Sequence, residues 1–152
     1  MNPFEDLIQA LGAVMDIPLR ADNHQSCLIT FKDDEVAIQI DLDTNGDRVL
    51  IGSQLGRITP GIYRERLFIQ ALRANGMALQ PRGILAFSEK NDTLVLFQFL
   101  ELAWLTAEKL HDSLQIFREH AFIWKKALAT GDVPDVIAES MSRGSGMYGL
   151  QS

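Results

Sequence analysis

Residues 59–76, TPGIYRERLFIQALRANG, carry the start and stop signals of one helix and apolar side chains on two of its sides. Thr59 is suited to cap the helix and Pro60 to open it, while Asn75-Gly76 supplies a left-handed stop. On a wheel of about 100° per residue, Tyr63, Leu67, Ala71 and Ala74 form one stripe and Ile62, Phe68, Ile69 and Leu72 another. Arg66, Gln70 and Arg73 hold the face between, and Arg64 divides the stripes on the far side. A helix on the surface of a lone domain needs a single apolar stripe, so the second predicts a second body to bury against.

The flanking sequence says what the first body is. Cys27 to Phe31, Val36 to Leu42 and Arg48 to Leu55 read as strands. In the middle run Val36, Ile38, Ile40 and Leu42 alternate with Ala37, Gln39 and Asp41, the pattern of an antiparallel strand with one covered face. The turns 32–34 and 43–46 make these strands a meander, with Asn45-Gly46 expected to take positive φ. Two more strands follow the helix, Gly83 to Ser88 and Thr93 to Glu101. The second is apolar on both faces, Leu94, Leu96 and Leu100 alternating with Val95, Phe97 and Phe99, so it is expected to be covered on both sides.

Helices close both ends of this pattern. Asn2 can cap the first, Pro3 suits its first turn, and Phe4, Leu7, Ile8, Leu11 and Val14 recur at helical spacing before Pro18 breaks it. The last begins at Thr106 and stops at Gly131, with Ala107, Leu110, Leu114, Phe117, Ala121, Trp124 and Leu128 in steps of three and four. The element order α-β-β-β-α-β-β-α predicts an α+β fold, an antiparallel sheet packed with helices, as a single domain over residues 1–133. The small, polar residues 134–152 read as a flexible C-terminal tail.

Charge and cysteine content exclude several functions. A net charge of −6, with no basic cluster larger than Lys125-Lys126, leaves no face for nucleic-acid phosphates. One cysteine permits no internal disulfide and fits a reducing cytoplasm, and Cys27 within the run CLITF reads as a core residue. The N-terminus lacks a basic n-region, and no apolar run approaches the ~20 residues needed to span a bilayer, so no membrane insertion is expected.

Catalytic and metal-binding constellations are thin. The segment DLDTNGD at 41–47 copies the start of an EF-hand loop, but the twelfth position, which must bring a bidentate carboxylate, is Gly52. Its flanks also read as strands, so a solvated hairpin turn is the simpler account. His111, Asp112 and Ser113 contain the residue types of a hydrolase triad, yet neighbours on a helix point apart. His120 reads as a packed residue, and the 52–56 segment lacks the glycine spacing of a phosphate loop. No catalytic residue, metal ligand or cofactor is assigned, and no enzyme activity is expected.

Several strings in their order, FEDLIQALG, SCLITF followed by VAIQID, YRERLFIQALRANG, GILAFSE, and EKLHDSLQIF with HAFIWKKAL, resemble the class I type III secretion chaperones, the Tir chaperone (CesT-like) family. The resemblance runs from Phe4 to about Pro134. It implies a cytoplasmic chaperone, a homodimer or a heterodimer with a related subunit, that binds the N-terminal segment of a secreted effector and keeps it soluble and secretion-competent without a cofactor. It implies a dimer interface at Ile62, Leu67, Phe68, Ile69, Leu72 and Ile84. It also implies an effector-binding groove at Leu7, Leu11, Val14, Leu28, Ile38 and Ile40. The alternative carried beside it is a non-secretory dimeric adaptor or regulator that binds an internal peptide.

Overall fold

The computed structural model describes residues 2–77 and 83–136. Its elements are α1 (Pro3–Met15), β1 (Ser26–Thr30), β2 (Ala37–Leu42), β3 (Arg48–Arg57), α2 (Ile62–Met77), β4 (Ile84–Ser88), β5 (Thr93–Glu101), a single 3-10 turn (Leu102–Trp104) and α3 (Ala107–Thr130). The strands form one antiparallel sheet in the order β1-β2-β3-β5-β4, which leaves β1 and β4 as its edges.

Local chemistry fixes the helix ends. Asn2 and Glu5 form a reciprocal capping box, in which the Asn2 side chain accepts from the Glu5 N–H at 2.8 Å. Thr106 accepts from the Lys109 N–H, and Gly131 ends α3 at φ 74°. The start of α2 departs from expectation. The helix opens at Ile62 and the Gly61 carbonyl accepts from the Glu65 N–H, so Thr59 and Pro60 belong to the approach rather than to the first turn.

Its end departs too, since Asn75 and Gly76 lie inside the helix, which runs to Met77. Asn75 is engaged elsewhere: its amide donates to the Leu85 carbonyl and accepts from the Leu85 N–H, both at 2.9 Å. This pair of hydrogen bonds from side chain to backbone ties α2 to edge strand β4. Asn75→Ala strands both Leu85 groups in a half-buried place. It is expected to lower unfolding free energy in denaturant titration by about 1–3 kcal/mol.

Strand alternation sorts the sheet into two unlike faces. Cys27 pairs with Ile40, Ile40 with Ile51, and Ile29 with Ile38. These residues, with Val49, Leu94, Leu96 and Leu85, are at most 5% exposed. Over them lie Phe4, Leu7, Ile8 and Leu11 of α1, Leu67 and Ala71 of α2, and Leu110, Leu114, Phe117, Ala121 and Trp124 of α3, all in one core. The Phe68 and Phe87 rings meet at 5.1 Å between α2 and β4. Val136, within the span expected to be a tail, is buried, and its N–H donates to Gln70 at 3.4 Å. Residues 137–152 lie outside the described residues.

Candidate functional site

Among the described residues, no helix lies over the second face of the sheet. One row across it runs from Leu28 through Gln39, Gly52 and Phe97 to Ile84, each opposite the next. A neighbouring row runs Ser26, Asp41, Leu50 and Phe99. Leu28 is 64% exposed, Ile84 50% and Phe99 42%, while Leu50, Val95 and Phe97 are half-buried. Gly52 puts no side chain between Gln39 and Phe97, so a shallow dip crosses the middle of the first row. The two-sided apolar pattern of β5 therefore has one face in the core and the other uncovered by any described element, where the sequence predicts cover on both sides.

Polar groups frame this apolar surface. Asp41 accepts hydrogen bonds from Ser26 and from Gln39. The Arg48 guanidinium lies 4.2 Å from the Phe99 ring centroid and pairs with Asp43 at 3.1 Å. Asp43 and Asp41 are thereby committed to partners, in keeping with a hairpin turn rather than an ion loop. Gly46 takes φ 77° in that turn, whereas Asn45 keeps a negative φ, because the 43–47 loop is longer than a two-residue hairpin. Gly52, at the twelfth position of the EF-hand comparison, sits inside β3.

A second open apolar surface lies on α2. Ile62, Ile69 and Leu72 are 68%, 50% and 72% exposed. Leu67 is fully buried, and Phe68 is half-buried against Phe87, so neither belongs to that outer stripe. The wheel explains Phe68: it stands on the shoulder of the inward arc beside Arg64, whose guanidinium lies 4.4 Å from the Phe87 centroid. Arg64 also donates to Asp92 at 2.8 Å and to the Ile58 carbonyl at 3.0 Å. At the other end of the inward arc, the Tyr63 hydroxyl donates toward the carbonyls of Asp132 at 2.7 Å and Ala127 at 3.1 Å. Burial, and then the nearby Asp132 charge, raises the Tyr63 pKa, which keeps the phenol a neutral donor. The inner side of α2 is thus fixed by specific bonds, and among the described residues nothing covers the outer side.

The expected groove residues divide in the same way. Leu7, Leu11, Ile38 and Ile40 are buried under the helices, whereas Val14 and Leu28 are exposed, at 39% and 64%. Leu28 cannot share a surface with Ile38 and Ile40, because its neighbours Cys27 and Ile29 are the residues paired with Ile40 and Ile38. A groove built from the exposed members uses Leu28 with Leu50, Phe97 and Phe99, and the last three were not assigned to it from sequence. The signal was present in the unbroken apolar character of β5.

Among the described residues, chemistry-bearing side chains gather nowhere comparable. Among the described residues no three His, Cys, Asp or Glu side chains are placed to hold a metal ion. His111 contacts Gln115 and stands 3.9 Å from Asp112, and His120 is packed edge-on to Trp124. Cys27 is buried, and desolvation raises its pKa, the reverse of an activated nucleophile. No described helix is long and apolar enough to cross a membrane.

The sequence matches the model of the Tir chaperone protein (CesT) family over residues 6–125. No curated protein is significantly similar to it in sequence. Several solved structures share its fold. A chain of the HopA1-SchA chaperone-effector complex superposes with a TM-score of 0.67 at 21% identity, over 82% of this chain and 94% of that one. A chain of the Yersinia pestis type III secretion chaperone SycH in complex with a fragment of YscM2 gives 0.65 at 12% identity, covering 80% and 98%. A chain of the ExoT-SpcS complex of Pseudomonas aeruginosa gives 0.61 at 19% identity, covering 80% and 97%.

Proposed function

This chain belongs to the Tir chaperone protein (CesT) family, and from that premise we propose that it is a cytoplasmic type III secretion chaperone that binds the N-terminal segment of a secreted effector. The observation that carries the reading is the sheet face that no described element covers, with Leu28, Phe97, Phe99 and Ile84 on it. The apolar cluster of Leu50, Val95, Phe97, Phe99 and Ile84, with Leu28 beyond the polar strip of Ser26, Gln39 and Asp41, marks a place where another chain sits. The likeness to chains from solved chaperone-effector complexes supports the same assignment.

The mechanism needs no nucleotide. A client segment laid across the sheet places alternate side chains against Leu28, Leu50, Phe97 and Phe99, and the dip at Gly52 lets its backbone approach closely. Apolar client residues that would otherwise drive aggregation or early folding are shielded while the segment stays unfolded. The exposed stripe of α2 receives a second subunit, so that client and partner subunit occupy different surfaces, Ile84 lying with Phe97 on the client face rather than beside that stripe.

Tagged protein isolated from its own cell is expected to carry an effector held through the effector's N-terminal region. Substituting Leu28→Asp together with Phe99→Ser removes two large apolar contacts from the client face. Each is worth about 1.5 kcal/mol or more, so capture should fall at least about a hundredfold while sedimentation still reports the dimer. Unchanged capture would refute this face as the binding surface. A partner held through an internal peptide and never exported would favour the adaptor reading.

A further inference from the structure

A notch opens at the C-terminal end of α1. Gly12 is why it forms: the chain after the helix folds back so closely that a Cβ on Gly12 would lie 2.6 Å from the Ile17 carbonyl oxygen and 3.0 Å from the Leu19 nitrogen. The cavity measures about 340 Å³ and is walled by Ala13, Ile17 and Pro18, with Gln9 and Asp16 among its lining residues. That volume has room for one long side chain of a bound segment.

Its electrostatics have one sign. The negative end of the α1 dipole lies here, and no basic residue occupies the last turn. Pro18 stands four residues after Val14 and has no N–H with which to close the Val14 carbonyl, so the helix end keeps acceptor capacity. Asp16 is the cap residue, held in the left-handed region at φ 56°, and its side chain is exposed. Arg20, the nearest basic residue along the chain, does not line the cavity. Val14 and Ile17, 39% and 40% exposed, give the site an apolar border.

We propose that this notch is a subsite for one lysine or arginine side chain of the bound client segment. The aliphatic stem lies along Ala13, Ile17 and Pro18, and the cationic head reaches the Asp16 carboxylate and the carbonyls at the helix end. The inference rests on the client-binding reading, extends the client's path from the open sheet face to the end of α1, and adds a charge requirement: a basic residue set among apolar ones.

The probe is a random dodecapeptide display library selected against the full-length protein. Wild type is expected to enrich peptides with Lys or Arg beside apolar residues. For one enriched peptide, changing its basic residue to Met should weaken binding about fivefold, the order expected for an exposed ion pair. Asp16→Asn, which tolerates the same backbone conformation, should weaken the parent peptide by a similar factor and make the Met peptide no worse than its parent. Enriched peptides without a basic preference, or equal affinity for wild type and D16N, would overturn the notch proposal and leave the client face standing. A library that yields no binder at all would count against both.

Discussion

Replacing Ile69 and Leu72 together by aspartate is expected to convert the proposed dimer into a folded monomer. Both side chains are at least half exposed on α2, and neither contributes to the core, so the fold loses little by the change. A two-fold interface presents each residue twice, which makes four apolar groups withdrawn from contact. At about 1.5 kcal/mol for each, the lower end for a buried Ile or Leu, the loss is about 6 kcal/mol, or some four orders of magnitude in dissociation constant. Burying four new carboxylates would add to it. Sedimentation at micromolar concentration should then report the mass of one chain, with wild-type circular dichroism. A wild type that already sediments as a monomer, or a variant that still dimerises, would remove α2 from the interface.

Leu67→Ala tests the opposite side of the same helix. Leu67 is fully buried in the shared core, so truncation leaves a cavity that its neighbours fill only in part. The expected loss is about 2–5 kcal/mol of unfolding free energy, a large share of the 5–15 kcal/mol typical of a whole domain. In a chain of this length that corresponds to a fall of about 10 °C in melting temperature. A loss below about 0.5 kcal/mol would mean that Leu67 behaves as a surface residue and that the two sides of α2 have been assigned the wrong way round.

Most of the architecture is legible before any coordinates, because the signals that set it are local. Alternation in β2, the caps at Asn2 and Thr106, the left-handed stop at Gly131 and the two-sided β5 each act within a few residues. The surfaces are less legible because they depend on pairing. Leu28, Ile38 and Ile40 are all apolar strand residues, and only the register, with Leu28 opposite Gln39, separates the open face from the covered one. Phe68 was placed outward by sequence because 3.6-residue geometry leaves a shoulder position ambiguous, and the Phe87 ring across the gap decides it. Asn75 resembled a helix stop because its tie to Leu85 is a contact ten residues away along the chain.

The most direct test of the account puts a photo-crosslinking phenylalanine analogue at Phe99, in the native cell, and identifies the crosslinked peptide by mass spectrometry. The account predicts adducts to the N-terminal segment of an exported protein. Adducts only to a second copy of this chain, or to no protein at all, would contradict it.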